Sequence, residues 1–159
     1  MEHLYRASSK VAGEGLFTKH PIPAKSIIFN FTGELIEHEY TPEFALQGAN
    51  WIGVGDRKWI IPEPESPVLY LNHSCSPNVF ISPKQEIVSV KPIAAHSELF
   101  LDYSSTELDP FWQMKCYCGS TKCRHIIRNF FSLSLVKQLQ YRNYIPKIFW
   151  EKVEQNALK

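Results

Sequence analysis

The chain has 159 residues, of which 44% are hydrophobic and 21% charged, and its formal net charge is +1 at pH 7. This length and composition predict one globular domain with its own core, and the near-neutral charge argues against a broad nucleic-acid-binding face. No apolar run is long enough to span a bilayer, and the N-terminus lacks a signal-peptide core. We therefore expect a soluble intracellular protein, nuclear or cytoplasmic, with reduced thiols.

The first part of the chain predicts short strands separated by turns. Strands are expected from Ala7 to Lys10 and from Ile27 to Phe31, with Leu35-Ile36 as a continuation after an interruption. In the turn between the first two strands, Gly13 and Gly15 permit positive φ angles and let a ligand approach the backbone. The same glycine pair is also typical of a plain hairpin turn.

The middle of the chain adds a short helix and a hairpin. A helix is predicted from Pro42 to Leu46, with Thr41 as its N-cap and proline at its first position. The segments Trp51–Val54 and Lys58–Ile61 predict the two arms of a hairpin. Three further strands are expected, at Val79–Ile81, Glu86–Lys91 and Leu99–Leu101.

Turns and helices complete the pattern. The turn from Ile93 to Glu98 has the same character as the turn from Ile22 to Ser26. Two amphipathic helices are predicted at 132–144 and 146–158, and we expect them to pack on the sheet. Many short strands, with helix mostly near the end, predict a mainly β fold with a C-terminal helical extension.

The Asn72–Asn78 stretch, Asn-His-Ser-Cys-Ser-Pro-Asn, is the most unusual segment of the chain. Asparagine and serine compete for local backbone hydrogen bonds and proline removes a donor, so the stretch makes a poor strand or helix interior. Apolar residues lie on both sides of it. The stretch is therefore predicted to be a turn that presents functional side chains on a fixed scaffold.

The four cysteines are Cys75, Cys116, Cys118 and Cys123, and the last three form a Cys-x-Cys-x4-Cys pattern. In an intracellular chain such a cluster more often holds a metal than a disulfide. Four thiolates suit the tetrahedral coordination of zinc. From spacing alone two alternatives stay open: a three-cysteine site completed by His125, and buried thiols without a metal.

Four separated motifs together resemble the SET-domain family of protein-lysine methyltransferases. In the family's order, they are Gly13-Glu14-Gly15-Leu16-Phe17, Phe31-Thr32-Gly33-Glu34, the Asn72–Asn78 stretch and Glu98-Leu99-Phe100-Leu101-Asp102-Tyr103. The Cys116–Arg124 segment resembles the family's post-SET zinc segment. The resemblance implies a β-clip-like SET fold of short curved sheets with a knot-like crossing. It also implies a SET domain at 1–110, a post-SET zinc-binding segment at 111–128 and a helical extension at 129–159.

The resemblance implies S-adenosylmethionine as the cofactor and one structural zinc ion. By the family pattern, the backbone of Gly13–Gly15 contacts the methionine end of the cofactor, and Asn72 and His73 pair with its amino and adenine groups. Tyr117 and Cys118 are expected to cover the adenine. The knot-like crossing would carry the lone cysteine of the Asn72–Asn78 stretch to the other three, which implies a four-cysteine zinc site.

The same resemblance assigns the catalytic and channel residues. Tyr103 is expected to orient the transferred methyl group, and a phenol with a pKa near 10 makes a poor general base. Trp51, Leu101 and Tyr103 are expected to line the lysine channel, with Trp51 also near the cofactor. Leu101 stands where the family often has Phe or Tyr, so we expect a roomier pocket and di- or trimethylation. Phe31 stands where the family usually has Tyr, which we interpret as a packing change.

Two other classes of function compete with this interpretation. A catalytically inactive, zinc-stabilised SET-like interaction module would keep the cysteines and the fold but would not need Tyr103. A thiol hydrolase using Cys75 and His73 is disfavoured, because residues two apart in a turn rarely converge and a zinc-bound thiolate is already occupied. The expected partner is a lysine-containing protein or peptide, such as a histone tail, with no direct nucleic-acid or membrane contact.

Overall fold

The computed structural model describes residues 2–47 and 50–157. These residues form five small β-sheets, three α-helices and three short 3-10 helices. The strands are β1 (Leu4–Ser8), β2 (Glu14–Thr18), β3 (Ile27–Asn30), β4 (Gly33–Glu37), β5 (Ile52–Gly55), β6 (Lys58–Pro62), β7 (Asn72–His73), β8 (Val79–Ile81), β9 (Glu86–Ser89), β10 (Phe100–Leu101), β11 (Gln113–Lys115) and β12 (Ile126–Arg128). The α-helices are α1 (Pro42–Ala45), α2 (Leu135–Tyr141) and α3 (Lys147–Ala157), and the 3-10 helices cover Pro67–Tyr70, Tyr103–Thr106 and Phe130–Ser132.

The prediction of a mainly β fold with helices near the C-terminus is confirmed. Two of the sheets have three strands, in the orders β3-β9-β8 and β4-β6-β5, and the other three are strand pairs. In the part of the chain described, no helix combines the length and apolar character that crossing a membrane requires.

The predicted hairpin and the predicted short helix both form. Strands β5 and β6 pair antiparallel around the two-residue turn Asp56-Arg57, where Arg57 adopts φ 56°. Helix α1 begins at Pro42, and the Thr41 hydroxyl accepts the backbone N–H of Phe44 at 3.1 Å. Both elements could be predicted because their turn and cap residues are close to them in sequence.

The first strands differ from the prediction in position and in partner. Strand β1 ends at Ser8, because the residues that follow it form the turn in which the Ser9 N–H bonds to the Gly13 carbonyl at 2.9 Å. Strands β3 and β4, expected as one interrupted strand, belong to different sheets, in which β3 pairs with β9 and β4 with β6. A Cβ at Gly33 would lie 2.1 Å from the Ile61 carbonyl oxygen, so the β4–β6 approach requires glycine there.

The two turns of similar character lie against each other. Ile22 and Ile93 form an isolated antiparallel bridge, with reciprocal N–H to carbonyl distances of 2.8 and 2.9 Å. Each turn also carries one left-handed residue, Lys25 at φ 62° and His96 at φ 60°. Their pairing holds the start of β3 against the segment that leads into β10.

The C-terminal helices form, although within narrower bounds than predicted. Helix α2 starts after the N-cap Ser134, whose hydroxyl accepts the Lys137 N–H at 3.4 Å, and the preceding residues form a 3-10 turn instead. Leu158, the predicted end of the second helix, lies outside the described residues. The helices pack on β8 through a buried cluster, as expected: Phe80, Leu108, Phe130, Leu133, Tyr141, Ile145, Phe149 and Val153.

The predicted polar turn is held against the segment around β10. Strand β7 pairs with β10 in parallel, Asn72 opposite Phe100 and His73 opposite Leu101. The Asn78 side chain accepts the Phe100 N–H at 2.7 Å and donates to the carbonyl oxygen ahead of β10, that of Glu98, at 2.8 Å. Two segments far apart in sequence thus meet, and the candidate site lies along this contact.

Candidate active site and metal centre

Four sulfur atoms meet where the Asn72–Asn78 turn lies against the segment before β12. The Cys75 Sγ is 3.8 Å from that of Cys116, and the Cys116 Sγ is 3.6 Å from that of Cys123. The Cys118 Sγ accepts the backbone N–H of Cys75 at 3.5 Å. A tetrahedron with zinc–sulfur bonds of about 2.3 Å has edges of about 3.8 Å. These two sulfur–sulfur distances match the edges of such a tetrahedron. The described ligand atoms that all lie within 4.8 Å of one another, and could hold a metal ion, belong to His73, Cys75, Cys116 and Cys118.

The ionisation of the thiols also suits a metal site. Burial raises the pKa of the Cys116 thiol. Burial acts in the same direction on Cys118, but hydrogen bonds from the backbone N–H groups of Cys75 and Ser120 and from neighbouring thiols lower its pKa to about 7. Because the thiolate is the form that binds zinc, Cys118 is close to its metal-binding state at neutral pH.

His73 lies beside the sulfur cluster with both ring nitrogens engaged. Its Nδ1 accepts the backbone N–H of Tyr103 at 3.2 Å, and its Nε2 lies 3.3 Å from the Cys75 Sγ. Burial lowers the pKa of His73 to about 4, so the ring is neutral and its single proton, on Nε2, is donated to the sulfur. The expectation that these residues, two apart in a turn, would not converge is therefore wrong for His73 and Cys75. With its Nε2 protonated, however, the ring donates to the sulfur and is not placed to act as a base towards it.

His125, weighed from the spacing as a ligand, contributes backbone groups instead. His125 is an exposed residue. Its backbone carbonyl accepts the Cys116 N–H at 2.7 Å, and its backbone N–H is donated to the Cys123 Sγ at 3.4 Å. The imidazole nitrogen that lies within 4.8 Å of three cysteine sulfurs is that of His73. Spacing along the chain left His125 open as the alternative fourth ligand, whereas the fold places the imidazole of His73 beside the sulfurs.

Tyr103 reaches from the sulfur cluster to an open cleft. Its hydroxyl donates to the Leu71 carbonyl at 2.7 Å, which leaves the phenol oxygen free to accept on its other side. Burial, with the Glu98 carboxylate nearby, raises the pKa of Tyr103 to about 12. The hydroxyl therefore stays protonated at neutral pH, which agrees with an orienting role and argues against general-base catalysis.

The cleft beside Tyr103 has a volume of about 330 Å³. Its walls include all three residues predicted for the channel, Trp51, Leu101 and Tyr103. Further lining residues are largely apolar or aromatic, among them Ile52, Val68, Leu71, Trp112 and Met114. Of the described lining residues only Glu107 is charged, and its carboxylate is occupied by the Trp59 Nε1–H at 3.0 Å and the Asp109 N–H at 2.7 Å.

Asn72 joins three of the segments that sequence motifs singled out. Its side-chain nitrogen lies 3.2 Å from the Ala12 carbonyl oxygen, 3.1 Å from that of Glu14 and 2.9 Å from the Glu98 Oε1. The residue before it, Leu71, holds the Tyr103 hydroxyl. Asn72 therefore faces the glycine motif while its neighbour faces the cleft.

The two glycines of the Gly-x-Gly turn are needed for different reasons. Gly13 has φ +47°, and nothing lies within 4 Å of the position a Cβ would take, so its backbone borders open space. Gly15 does not use the positive φ that glycine permits, because it lies in the extended strand β2. A Cβ at Gly15 would lie 2.2 Å from the Glu98 Oε1, so this glycine makes room for the carboxylate that Asn72 contacts.

Tyr117 lies between two cysteines of the cluster, and its side chain is 71% exposed. Gly119, two residues further on, has φ +64° and open space where a Cβ would be. The segment over the cluster thus presents an aromatic ring outward rather than to the core. The contact of Tyr117 and Cys118 with an adenine stays a prediction.

Asp102 belongs to the site, although it was not among the residues assigned to it from the sequence. This fully buried carboxylate accepts hydrogen bonds from Arg124 Nη2 at 2.5 Å, from the Tyr141 hydroxyl at 2.9 Å and from the Ser104 N–H at 3.2 Å. Arg124 also donates its Nε–H and backbone N–H to the Cys75 Sγ at 3.2 and 3.3 Å. An acidic residue directly after a buried strand was the available signal, but its partners lie in distant segments.

Comparison with known proteins places this site in a family. The family model described as SET domain matches residues 13–104, which is more than half of the chain. The chain therefore belongs to the SET domain family. The match includes the glycine motif, the Asn72–Asn78 stretch and Tyr103.

Curated relatives are similar over most of this chain but are much longer. Histone-lysine N-methyltransferase ATX2 of Arabidopsis thaliana is 25% identical over 150 residues, 81% of this chain and 14% of the relative. Histone-lysine N-methyltransferase SETD1 of Drosophila melanogaster is 29% identical over 133 residues, 74% of this chain and 8% of the relative. The chain thus spans a small fraction of the length of these proteins.

Solved structures share the fold. A crystal structure of KRYPTONITE in complex with mCHG DNA and SAH is similar with a TM-score of 0.58 at 22% identity, over 77% of this chain and 28% of that chain. A humanized mutant of the Chaetomium thermophilum Polycomb Repressive Complex 2, bound to the inhibitor GSK126, gives a TM-score of 0.52 at 21% identity, over 65% of this chain and 15% of that chain. These likenesses agree with the SET fold implied by the sequence motifs.

Proposed function

We propose that this chain is an S-adenosylmethionine-dependent methyltransferase that adds methyl groups to the side-chain amine of lysine in a protein. The observation that carries the proposal is the position of Tyr103, whose hydroxyl is held by the Leu71 carbonyl next to Asn72 while its ring lines the cleft. Relatives named as histone-lysine N-methyltransferases support the same reaction. Because the chain spans only 14% of ATX2 and 8% of SETD1, the activity is proposed for this domain on its own site.

The cofactor is proposed to bind on the Asn72 side of Tyr103. The open backbone at Gly13 gives a ligand room to approach, and the Gly13–Gly15 turn and Asn72 already converge there. Tyr117 and Cys118 would cover the bound cofactor, with Trp51 close to it. When bound, S-adenosylmethionine supplies the methyl group, and these residues bind and orient it.

The acceptor lysine is proposed to enter through the cleft. A free lysine amine has a pKa of about 10.4 and must lose a proton before it attacks. The apolar walls disfavour the ammonium form, and the Glu107 carboxylate is already hydrogen-bonded, so we assign the released proton to solvent. The Tyr103 hydroxyl keeps its proton, which it donates in a hydrogen bond to the Leu71 carbonyl, and its oxygen is left to align the reacting groups.

Leu101 is proposed to set the number of methyl groups. It is buried at the wall of the cleft and has no polar atom to hold a water molecule or an amine. A methylated amine therefore meets no polar obstacle at this wall. We propose di- or trimethylation as the outcome.

The proposed zinc ion is structural. Its ligands would be Cys75, Cys116, Cys118 and Cys123, which leaves no position open for substrate. In this assignment the ion ties a post-SET segment at 111–128 to a SET domain at 1–110. The helical extension at 129–159 forms the third unit.

The proposed substrate is a lysine in a protein or peptide, with a histone tail as one candidate. The test is incubation of the zinc-loaded protein with isotope-labelled S-adenosylmethionine and a panel of histones and other proteins, read by mass spectrometry. Label on a lysine side chain, absent with Tyr103→Phe, is the expected result. Bound cofactor without transfer to any protein would instead favour the inactive interaction module.

A further inference from the structure

Helix α2 reaches into the site from outside the matched family region, which ends at residue 104. Its Lys137 Nζ donates to the Cys75 carbonyl at 2.6 Å and lies 3.8 Å from the Asp102 Oδ2. Its Tyr141 hydroxyl donates to the same Asp102 oxygen at 2.9 Å. The Lys137 Nζ also lies 3.2 Å from the Tyr141 hydroxyl, so the two side chains form one hydrogen-bonded unit.

Each of these contacts is made to a residue that adjoins, or belongs to, the proposed site. Asp102 directly precedes Tyr103, and its other oxygen is bound by Arg124, which also donates to the Cys75 Sγ. The Cys75 carbonyl belongs to a proposed zinc ligand. Helix α2 therefore contacts the two segments whose relative position defines the site.

The contacts of Lys137 also compensate negative charge in the proposed site. Four thiolates around one Zn²⁺ leave an excess of two negative charges, and the fully buried Asp102 carboxylate adds a third. Buried negative charge is costly unless it is paired and hydrogen-bonded. Arg124 lies on one side of Asp102 and Cys75, and Lys137 is the positive charge on the other.

We propose that Lys137 and Tyr141 are positioning residues of the methyl-transfer site, holding Asp102 and Cys75 so that Tyr103 and the metal cluster keep their relative placement. The inference rests on the proposed function for its catalytic consequence but not for its effect on the metal. It makes α2 part of the site's support rather than a separate appendage. The groups that touch substrate and cofactor remain those described above.

The test uses substitutions that remove one group each. Lys137→Met removes the charge and keeps most of the aliphatic chain, and Tyr141→Phe removes only the hydroxyl. Tyr144→Phe is the matched control for the second, because both tyrosine rings pack on Phe80, at 5.2 Å for Tyr144 and 4.4 Å for Tyr141. Lys147→Met, in an exposed ion pair on α3, is the control for the first.

Two readouts distinguish positioning from plain structural support. The first is the rate at which the folded, zinc-loaded protein releases zinc to a chelating dye, at a temperature where circular dichroism shows every variant folded. We expect release about tenfold faster for Lys137→Met and Tyr141→Phe, near-normal release for both controls, and partial rescue by Lys137→Arg. The second is steady-state methyl transfer, where kcat should fall about tenfold with an unchanged KM for the peptide.

The outcomes decide the inference separately from the proposed function. Zinc release and kcat equal to those of the control variants would overturn it. If the wild type transfers no methyl group, the proposed function fails, and the zinc-release comparison still decides whether α2 positions the cluster. If Lys137→Met does not fold, Tyr141→Phe, which changes a single hydroxyl, decides the test by itself.

Discussion

His73 accepts the backbone N–H of Tyr103 at 3.2 Å through one ring nitrogen, while its other ring nitrogen lies 3.3 Å from the Cys75 Sγ. A single buried ring therefore connects the sulfur cluster to the tyrosine assigned to methyl transfer. Because both nitrogens are engaged, a shift of the cluster is transmitted to the backbone at Tyr103. If the proposed zinc and cofactor sites are correct, this relationship couples metal binding to the geometry of the cofactor site.

Replacing His73 should therefore destabilise the fold even with metal bound. In His73→Phe the Tyr103 N–H is left without its acceptor in a buried position, which costs about 1–3 kcal/mol. Urea unfolding of the zinc-loaded protein measures the difference. His125→Phe, on an exposed residue, is the control and should change stability by no more than about 0.5 kcal/mol; equal effects would contradict the assignment.

Removing zinc should loosen the segment from Cys116 to Cys123 and weaken cofactor binding. The segment is tied to the turn at Cys75 largely through sulfur contacts, so we expect its order to depend on the proposed ion. Hydrogen exchange should rise in this segment after chelation, while the β5–β6 hairpin stays protected. Calorimetric affinity for S-adenosylmethionine that is unchanged by chelation would count against the coupling.

Tyr103→Phe should abolish turnover without abolishing cofactor binding. The substitution removes the hydroxyl that Leu71 holds and keeps the ring that lines the cleft. Loss of alignment at the reacting centre is worth about 100-fold in rate. Methyl transfer measured by mass spectrometry should fall by at least this amount, with S-adenosylmethionine still bound; undiminished turnover would remove Tyr103 from its role.

Gly15→Ala should lower stability slightly although the residue is not in a left-handed conformation. Its Cβ would lie 2.2 Å from the Glu98 Oε1, so the carboxylate must leave Asn72 or the strand must shift. Glu98 is only partly buried and its carboxylate is the far end of a flexible side chain, so it can move aside, and we expect a loss of about 1 kcal/mol, mainly from the broken contact to Asn72. Thermal unfolding should show the loss, with Gly55→Ala as control, since its Cβ would meet its nearest neighbour, Lys58, at 3.5 Å. Equal stability of the two variants would be unexpected.

Leu101→Phe should shift the products towards fewer methyl groups. The larger ring would take up space at the wall of the cleft that a methylated amine needs. Mass spectrometry of a lysine peptide at a matched extent of reaction should show the monomethyl form rising at the expense of higher forms. A product distribution identical to that of the wild type would show that Leu101 does not set the number of methyl groups.

Local sequence signals predicted several elements well. The Thr41 cap with Pro42 and the hairpin around Asp56-Arg57 were readable because each depends on neighbouring residues. Strands β11 and β12 were missed because each has only three residues, too few for alternation to identify a strand, and five of the six residues are exposed. Elements that depend on neighbouring residues were therefore predicted, whereas short exposed strands were not.

The same distinction holds for the site. Tyr103, Trp51 and Leu101 were assigned from motif order, and they do line one cleft. The hydrogen bonds to Asp102 could not be predicted from the sequence, because their donors Arg124 and Tyr141 lie 22 and 39 residues further along the chain. No local pattern in the sequence specifies which distant polar residues will meet at a buried carboxylate.

The distances along the chain between contacting groups bear on when the site forms during folding. The Asn72 contact to Ala12 spans 60 residues, the Cys75–Cys116 contact 41 and the Lys137–Cys75 contact 62. Closing such long loops costs entropy before any contact compensates for it. We therefore expect hairpins such as β5–β6 to form early and the catalytic surroundings of Tyr103 to assemble last, so that a partly folded chain has secondary structure well before it has a working site.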